Sequence, residues 1–273
     1  MNEPNPVILV DVGHALYEPW KSILYQGQLE TWAKVPLADV RHSHATPVPK
    51  FIRRLDLILW KLKWRPVIGK YFSILEIIAK IPLRMSRGNL QESLLPQTDK
   101  PSLMLKYPDL NMLMNFKSFS VITGTLIYNY DFLVSTTSSS YLNIEKLKDE
   151  IAKLPRNNIV AGRILRQGKL EFASGSFRIF SRDVVEEFLI NRKSYSKWRP
   201  EDLAFGHLAA HARMDLTYIE MKSIDIDSIE CLTSIPIEEL ANTTHFRLKS
   251  GSFEDRADIS IMHELHKRLN ETH

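Results

Sequence analysis

Cysteine is nearly absent from this 273-residue sequence, which contains only Cys231. A single thiol excludes a framework of disulfides within the chain and favours a reducing compartment, most simply the cytosol. The first residues, Met1–Pro6, carry no basic segment and no long apolar run, so we expect neither a signal peptide nor an N-terminal anchor. No stretch approaches about 20 uninterrupted apolar residues, so we expect no membrane-spanning helix.

The positive charge of the chain is concentrated in one segment. The whole sequence carries a net charge of +4, but residues 50–87 contain ten Lys or Arg and only two acidic residues, Asp56 and Glu76. The remainder of the chain is therefore net acidic. Such a local excess predicts a local anionic partner rather than a generally basic protein.

Residues 50–90 are interpreted as a basic, amphipathic helical insertion. Aliphatic and aromatic residues alternate with cations here, and Pro66 and Pro82 divide the segment into helical pieces. This pattern is typical of a helix in a membrane interface, and we expect residues 50–87 to contact an anionic membrane surface. A helical subdomain packed on the core with a solvated basic face is the alternative. Nucleic acid is disfavoured because no groove-reading motif accompanies the charge.

The beginning of the chain predicts an α/β fold. Val7–Val12 is a β-branched run typical of a buried strand, a turn is expected at Gly13-His14, and Trp20–Trp32 begins as a helix. In such domains, ligands bind beyond the strand ends. Asp39–His44 is a candidate second strand, whose His42 and His44 are either metal ligands or simply alternating strand residues.

Alternating and helical patterns continue downstream. A buried strand at Asp131–Val134 precedes the hydroxyl run Ser135–Ser140, and a helix capped by Asn143 follows. Arg87–Pro108 is polar and is interrupted by Pro96 and Pro101, so a loop is predicted there. Ser174-Gly175 is predicted to form a turn, since glycine allows a close approach of the backbone.

Four short stretches occur in an order that resembles a known enzyme group. They are Glu30-Thr31-Trp32, the strand and turn of Asp131–Asn143, Phe172–Val185 with its Ser-Gly and Ser-Arg-Asp, and Glu201-Asp202-Leu203 followed by Gly206. Together they resemble the β-1,3-galactosyltransferase and Fringe-like glycosyltransferases, a GT-A superfamily. The resemblance covers Val7–Lys50 and Asn115–Arg213, and it does not cover Phe51–Pro108.

The resemblance implies a GT-A, Rossmann-like fold: a mixed, mostly parallel central sheet with helices on both faces. We expect one domain over residues 1–273 with the insertion at 50–90 inside it. The implied activity is inverting transfer of a sugar from a nucleotide donor, most simply a UDP-sugar, to an acceptor hydroxyl. Such a reaction needs a general base for the hydroxyl and positive charge near the leaving diphosphate.

Glu201 and Asp202, which directly precede a helix predicted over Leu203–Arg213, are the candidate catalytic residues. Asp202 matches the catalytic Asp of the family's Glu-Asp-Val motif and is predicted to be the base, with Glu201 as the second candidate. The alternative is that both merely cap the helix, because acids in the first turn interact favourably with the helix dipole.

The chain departs from the family at the metal motif. The Asp-x-Asp turn of the family would fall at Thr137-Ser138-Ser139, where no carboxylate stands, and hydroxyls alone bind Mg²⁺ poorly. We therefore expect no required metal cofactor, although a divalent ion stays possible. Asp225-Ile226-Asp227 matches the Asp-x-Asp pattern, but it lies after the catalytic motif in the sequence, so we discount it as a metal site.

Side chains must then neutralise the diphosphate, and three groups of residues are predicted to bind the nucleotide-sugar. His245, Arg247 and Lys249 share one face of a predicted strand and supply cations. Hydroxyls can donate hydrogen bonds from the run 136–139, and the turns after the first strand and at Ser174-Gly175 are expected to receive the base, ribose and sugar. The predicted binding residues are Val12, Gly13, His14, Thr136, Thr137, Ser138, Ser139, Ser174, Gly175, His245, Arg247 and Lys249.

The sequence thus predicts a cytoplasmic enzyme attached peripherally to the inner face of a bacterial cell membrane. Its acceptor would be a glycan or a lipid-linked precursor of a surface polysaccharide such as capsule or lipopolysaccharide. Two alternatives stay open. A non-catalytic relative of the same fold would bind a sugar or nucleotide during polysaccharide assembly, and an unrelated α/β enzyme or a membrane-peripheral adaptor would use neither carboxylate.

Overall fold

The computed structural model describes residues 5–34, 40–46, 90–94, 101–109, 114–196, 199–251 and 256–271, together with residues 51, 52, 54, 56 and 58. The predicted insertion at 50–90 lies almost entirely outside the described residues, so its helices and its membrane contact stay predictions.

The strands of the described chain form two sheets. They are β1 (Ile8–His14), β2 (Val40–Thr46), β3 (Leu90–Leu94), β4 (Pro101–Pro108), β5 (Phe132–Thr137), β6 (Ser140–Leu142), β7 (Ile159–Gln167), β8 (Leu170–Ser181), β9 (Thr217–Glu220), β10 (Ser223–Ile226) and β11 (His245–Leu248). The larger sheet has the order β3-β4-β2-β1-β5-β8-β7-β9, and the smaller has the order β10-β11-β6.

Parallel pairing predominates in the larger sheet. Strands β4, β2, β1 and β5 run parallel to one another, and β7 runs parallel to β9. Strand β3 pairs antiparallel with β4, and β8 pairs antiparallel with both β5 and β7. The predicted α/β class with a mixed, mostly parallel central sheet is therefore confirmed.

Helices cover both faces of this sheet, as predicted. They are α1 (Trp20–Ser22), α2 (Met114–Gly124), α3 (Ile144–Ile151), α4 (Arg182–Ile190), α5 (Glu201–His211), α6 (Ile229–Ser234), α7 (Ile237–Ala241) and α8 (Asp258–Asn270). One apolar core joins Val10 and Val134 of the sheet to α3 and α8, and a second core joins Leu9 and Leu133 to α2, α4 and α5.

Strand β1 determines where a ligand site can form. Its apolar residues are buried on both faces of the sheet, as is usual for a central parallel strand. The strand pairs with β2 on one side and β5 on the other, so the strand order reverses at β1. Ligands of open α/β sheets bind at such a reversal, beyond the carboxyl ends of the strands.

The N-terminal helix is fixed against the C-terminal helix. Helix α1 continues as a π-helix, Ile23–Gln28, and a Cβ added at Gly27 would lie 2.9 Å from Met262 Sδ of α8. A side chain at position 27 would therefore require the flexible Met262 side chain to shift. Gln28, the last residue of this π-helix, is fully buried.

Three local predictions are wrong. Arg87–Pro108 is not a loop, because it contains β3 and β4; Pro101 is tolerated as the first residue of its strand. Ser174-Gly175 is not a turn, because both residues lie inside the 12-residue strand β8. The first strand does not end before Gly13-His14 but includes both residues.

Among the residues that the structure describes, no helix combines the length and the apolar character that a bilayer crossing requires.

Candidate active site

A cleft of about 380 Å³ opens at the carboxyl ends of β1, β2 and β5. Its size falls within the usual range of small-ligand sites, which is about 300–1,000 Å³. Helix α2 forms one wall, and strand β8 with the start of α5 forms part of another. The polar and charged side chains that line it are Asp11, His14, Tyr17, Ser43, His44, Asp109, Lys117, Ser118, Ser135, Thr136, Thr137, Ser138, Ser139, Arg178 and Glu201.

The cleft brings together eight of the predicted site residues, which come from four separate parts of the sequence. They are Gly13, His14, Thr136, Thr137, Ser138, Ser139, Gly175 and Glu201. The other six do not line it. They are Val12, Ser174, Asp202, His245, Arg247 and Lys249.

The hydroxyl run forms one rim of the cleft and is held from behind. The Gln28 side-chain amide donates to the carbonyl oxygens of Thr137, Ser138 and Ser140, at 3.2, 2.9 and 3.1 Å. Arg256 Nη2 donates to Ser139 Oγ at 3.2 Å. The backbone of this turn is therefore fixed before any ligand arrives.

A buried ion pair lies at the junction of β8 and α5. Arg178 Nη2 is 2.5 Å from Glu201 Oε1, and the two side chains are 4% and 11% exposed. Ser118 of α2 bridges them, since Arg178 Nη2 donates to Ser118 Oγ at 2.7 Å and that hydroxyl donates to Glu201. The guanidinium also lies 4.9 Å from the centre of the Phe205 ring.

Gly175 makes room for the Glu201 carboxylate. A Cβ added at Gly175 would lie 2.7 Å from Glu201 Oε2, closer than real Cβ contacts. The glycine predicted to bring a backbone close to a sugar therefore brings β8 close to the catalytic candidate instead.

Asp11 is a buried carboxyl group on the floor of the cleft. Its side chain is 2% exposed, and Ser43 Oγ donates to Oδ2 at 3.2 Å. Burial raises the pKa of Asp11 to about 7, against the hydrogen bond from Ser43 and the positive charge of Arg178, which lower it. This carboxyl group therefore exchanges its proton near neutral pH.

His14 of β1 and His44 of β2 line the cleft in their neutral form. His14 Nε2 and His42 Nδ1 lie 2.9 Å apart. Burial, and then the neighbouring His42 and His44, lower the pKa of His14 well below its usual value, and burial also lowers the pKa of His44. Neither imidazole supplies positive charge to the cleft at pH 7.

The three cations predicted to hold the diphosphate belong to strand β11 and its end, outside the cleft. His245 is fully buried, stacks on Phe177 with ring centres 4.6 Å apart, and is bonded to Ser140 Oγ at 3.0 Å. Burial, reinforced by Arg247 and Arg163, lowers its pKa to about 3. His245 therefore supports the hydroxyl rim from behind as a neutral ring.

Lys249 and Arg163 are already engaged by one carboxylate. Lys249 Nζ lies 2.6 Å from Asp225 Oδ2, and Arg163 Nη1 lies 2.7 Å from Asp225 Oδ1. Arg247 is the direct strand partner of the same Asp225. Asp225 of the Asp-x-Asp at 225–227 thus belongs to an ion-pair cluster at the protein surface.

Asp202 occupies the first turn of α5 beside Glu201 but is directed elsewhere. Its Oδ1 accepts a hydrogen bond from the next backbone amide, Leu203 N, at 2.8 Å. The two adjacent acids are thereby separated: Glu201 lines the cleft, and Asp202 interacts with the helix backbone.

The residues of the cleft do not fit a divalent metal ion. In the described part of the chain, no group of three or more His, Cys, Asp or Glu side chains is arranged to hold one. Hydroxyls occupy positions 137–139 at the rim, burial raises the pKa of Asp11 to about 7, and Glu201 is paired with Arg178. Asp109 is likewise paired with Lys117, so the three carboxyl groups of the cleft are not grouped as the oxygen ligands that Mg²⁺ and Mn²⁺ prefer.

Sequence reasoning missed the two central charged groups, Asp11 and Arg178. Each interrupts an apolar strand, in Ile8–His14 and in Phe177-Arg178-Ile179-Phe180. An ionisable residue within a strand that is otherwise fully buried is costly unless it has a partner or a function. A charged residue inside an apolar strand was therefore the sequence signal for both groups. The sequence around Ser118 on α2 contains no such signal.

No family model matches the sequence, and no curated protein matches it. Similar solved structures include a glycosyltransferase involved in the glycosylation of the major capsid of the virus PBCV-1, at 10% identity, covering 94% of this chain and 100% of that one, with a TM-score of 0.48. Another is the inositol-1-phosphate CTP transferase of T. maritima, at 7% identity, covering 96% and 97%, with a TM-score of 0.44. Likenesses this distant carry no conclusion about activity.

Proposed function

We propose that this protein is a GT-A-like, inverting glycosyltransferase that uses a nucleotide-sugar. The observation that carries the proposal is the meeting of the hydroxyl turn, the β1 end and the Glu201 carboxylate in one cleft at the reversal of strand order. The sequence resemblance connects the same three elements, and the general rule for open α/β sheets places ligands there.

Glu201 is the carboxylate best placed to act as the general base. The acceptor hydroxyl would attack the anomeric carbon, its proton would pass to Glu201, and the bond to the donor would break with its electron pair leaving on the diphosphate. Asp202, the first candidate from the sequence, would hold the helix start. The Gly13-His14 end of β1 and the hydroxyls of Thr136–Ser139 would receive the nucleoside and its phosphates.

The acceptor and location are proposed from sequence features alone. A glycan or lipid-linked surface-polysaccharide precursor would be presented at the cytoplasmic face of the membrane, where residues 50–87 would contact anionic lipid. The ten cations of that segment are the supporting observation.

A donor panel tests the proposed activity. We expect the purified protein, given UDP-, GDP- and CMP-sugars in turn with a candidate acceptor, to release nucleotide from one class. Proton NMR of the product should show inversion at the anomeric carbon. Calorimetric titration with the same nucleotides, with and without Mn²⁺, provides the decisive comparison. Absence of all nucleotide binding would reject the enzyme and favour a non-catalytic assembly protein.

Liposome sedimentation tests the membrane contact. The full chain should sediment with vesicles containing phosphatidylserine and not with neutral vesicles, since each Lys or Arg near an anionic surface contributes about 1 kcal/mol. Replacing Arg53, Arg54, Lys61 and Lys63 with Glu should abolish sedimentation. A matched control makes the same charge change at exposed lysines elsewhere: Lys153, Lys169, Lys193 and Lys267. Equal binding to both vesicle types would contradict an electrostatic contact.

A further inference from the structure

The Arg178 guanidinium has hydrogen-bonding capacity that the protein leaves unused. Its Nη2 serves both Glu201 and Ser118, but its Nε and Nη1 are buried without any hydrogen-bond partner in the described chain. A guanidinium carries five N–H donors, and buried donors of a charged group are costly when they lack acceptors. Arg178 also lines the cleft, so an anionic ligand that enters the cleft meets this guanidinium.

The residues around Arg178 favour a negatively charged ligand. The cleft histidines are neutral, Lys117 is paired with Asp109, and the predicted cations of β11 lie outside the cleft. Arg178 is paired too, but among the described residues that line the cleft it is the cation with donors that lack acceptors, so it is the one positioned to act on a bound anion. The hydroxyls of Thr136–Ser139 line the same cavity. Guanidinium groups pair strongly and directionally with phosphate oxygens.

We propose that Arg178 binds the diphosphate of the donor and takes the role that a metal ion plays in related enzymes. This inference rests on the proposed function and deepens it: the ligand class is a diphosphate, held without a divalent ion. It follows from the mismatch between the cleft residues and a metal site, together with the unused donors of Arg178.

Glu201 opposes this binding in the empty protein. Its carboxylate lies 2.5 Å from Arg178 Nη2 and neutralises part of the charge that a diphosphate would meet. Removing that negative charge while keeping the shape of the side chain, as in Glu201→Gln, should strengthen anion binding. Removing the cation should weaken it. The two changes at one ion pair therefore have opposite expected effects, which a purely structural ion pair would not produce.

Calorimetric titration of inorganic pyrophosphate into the full chain, in EDTA, tests the inference. Wild type should bind, Arg178→Met should bind at least about tenfold more weakly, and Glu201→Gln should bind several-fold more tightly, as the strength of charge-assisted hydrogen bonds implies. Arg163→Met, which removes a cation paired with Asp225 outside the cleft, should change nothing. Pyrophosphate binding that requires a metal ion, or that survives Arg178→Met, would overturn the inference.

A double variant keeps the test valid if Arg178→Met fails to fold because Glu201 is left buried without its partner. Arg178→Met with Glu201→Gln removes both charges, and circular dichroism confirms its fold. It should also fail to bind pyrophosphate; binding by this variant would count against Arg178.

The outcomes separate this inference from the proposed function. Arg178-dependent pyrophosphate binding without sugar transfer would support the anion site and reject the enzyme. Sugar transfer unaffected by Arg178→Met would support the enzyme and reject the role of Arg178.

Discussion

Glu201→Gln should lower the rate of sugar transfer by about 100-fold or more, which is the usual contribution of a general base. The amide keeps the size of the side chain and can still accept a hydrogen bond from Ser118, but it cannot accept a proton at neutral pH. Glu201 is the acid of the pair whose carboxylate lines the cleft. Release of nucleotide from the donor identified in the panel provides the measurement.

Asp202→Asn is the matched control, since the two residues are adjacent in one helical turn. Its side-chain oxygen can still accept the hydrogen bond from Leu203 N, so most of the activity should remain. Thermal unfolding of both variants shows whether each retains the fold. An inactive Asp202→Asn beside an active Glu201→Gln would reverse the assignment and restore the prediction made from the sequence.

Pyrophosphate binding and transfer should respond in opposite directions to Glu201→Gln. The variant loses a base and also relieves Arg178 of its counter-charge, so we expect tighter binding with slower chemistry. This combination is specific to a carboxylate that both neutralises the anion site and accepts a proton. If Glu201 only stabilised the start of α5, its replacement would not raise the affinity for pyrophosphate while lowering the rate of sugar transfer.

The strands and helices with strong periodic patterns could be predicted from the sequence. The helix after Asn143 is an example: Asn143 Oδ1 accepts from Lys146 N at 3.3 Å, and Ile144, Leu147 and Ile151 are buried along one face. The sequence was sufficient to predict this helix because its N-cap and its apolar spacing lie within one short stretch. The first strand was found for the same reason.

Prediction failed where long-range pairing decided the structure. Strand β8 continues through Ser174-Gly175-Ser176, residues that favour turns and that have no register partner in β5 or β7. The pairs made on either side of them, by Ala173 with β7 and by Phe177 with β5, keep this stretch extended. Strands β3 and β4 were interpreted as a loop because of their prolines. A proline at a strand's first residue is compatible with pairing, and only the pairing partner reveals this.

Long-range contacts also determine which of the predicted residues line the cleft. The order of motifs located Glu201, the hydroxyl turn and the β1 end, but it favoured Asp202, and only the direction of each side chain in α5 distinguishes the two acids. His245, Arg247 and Lys249 were chosen for their charge. Burial and the competing carboxylate Asp225 then determined their actual surroundings.

Asp11→Asn should increase the stability of the folded protein at pH 8 and leave it nearly unchanged at pH 4. The pKa of Asp11 is raised from 3.8 to about 7 in the folded state, mainly by burial. Between these values the folded protein binds more protons at this site than the unfolded chain, so its stability falls as pH rises from about 4 to about 7. The full difference corresponds to at most about 4 kcal/mol.

Buried histidines produce the opposite slope and must be subtracted. His245 has a folded pKa of about 3, against 6.5 for the ordinary imidazole, so its contribution to stability is lost as pH falls below 6.5. Chemical unfolding of wild type and Asp11→Asn at each pH removes this common background. The difference in the free energy of unfolding should grow from pH 4 to pH 7 and then level off.

Asp225→Asn provides a control of opposite sign. Burial opposes the ionisation of Asp225, but the hydrogen bonds from Arg163 and Lys249 outweigh it and lower its pKa. Its replacement should therefore destabilise the protein at neutral pH, by a small amount because the ion pairs are partly exposed. If Asp11→Asn behaved in the same way, with a loss of stability at pH 8, attraction to Arg178 would outweigh burial and Asp11 would stay ionised well below neutral pH. The cleft would then contain a permanent negative charge beside the proposed diphosphate site, which would argue against anion binding there.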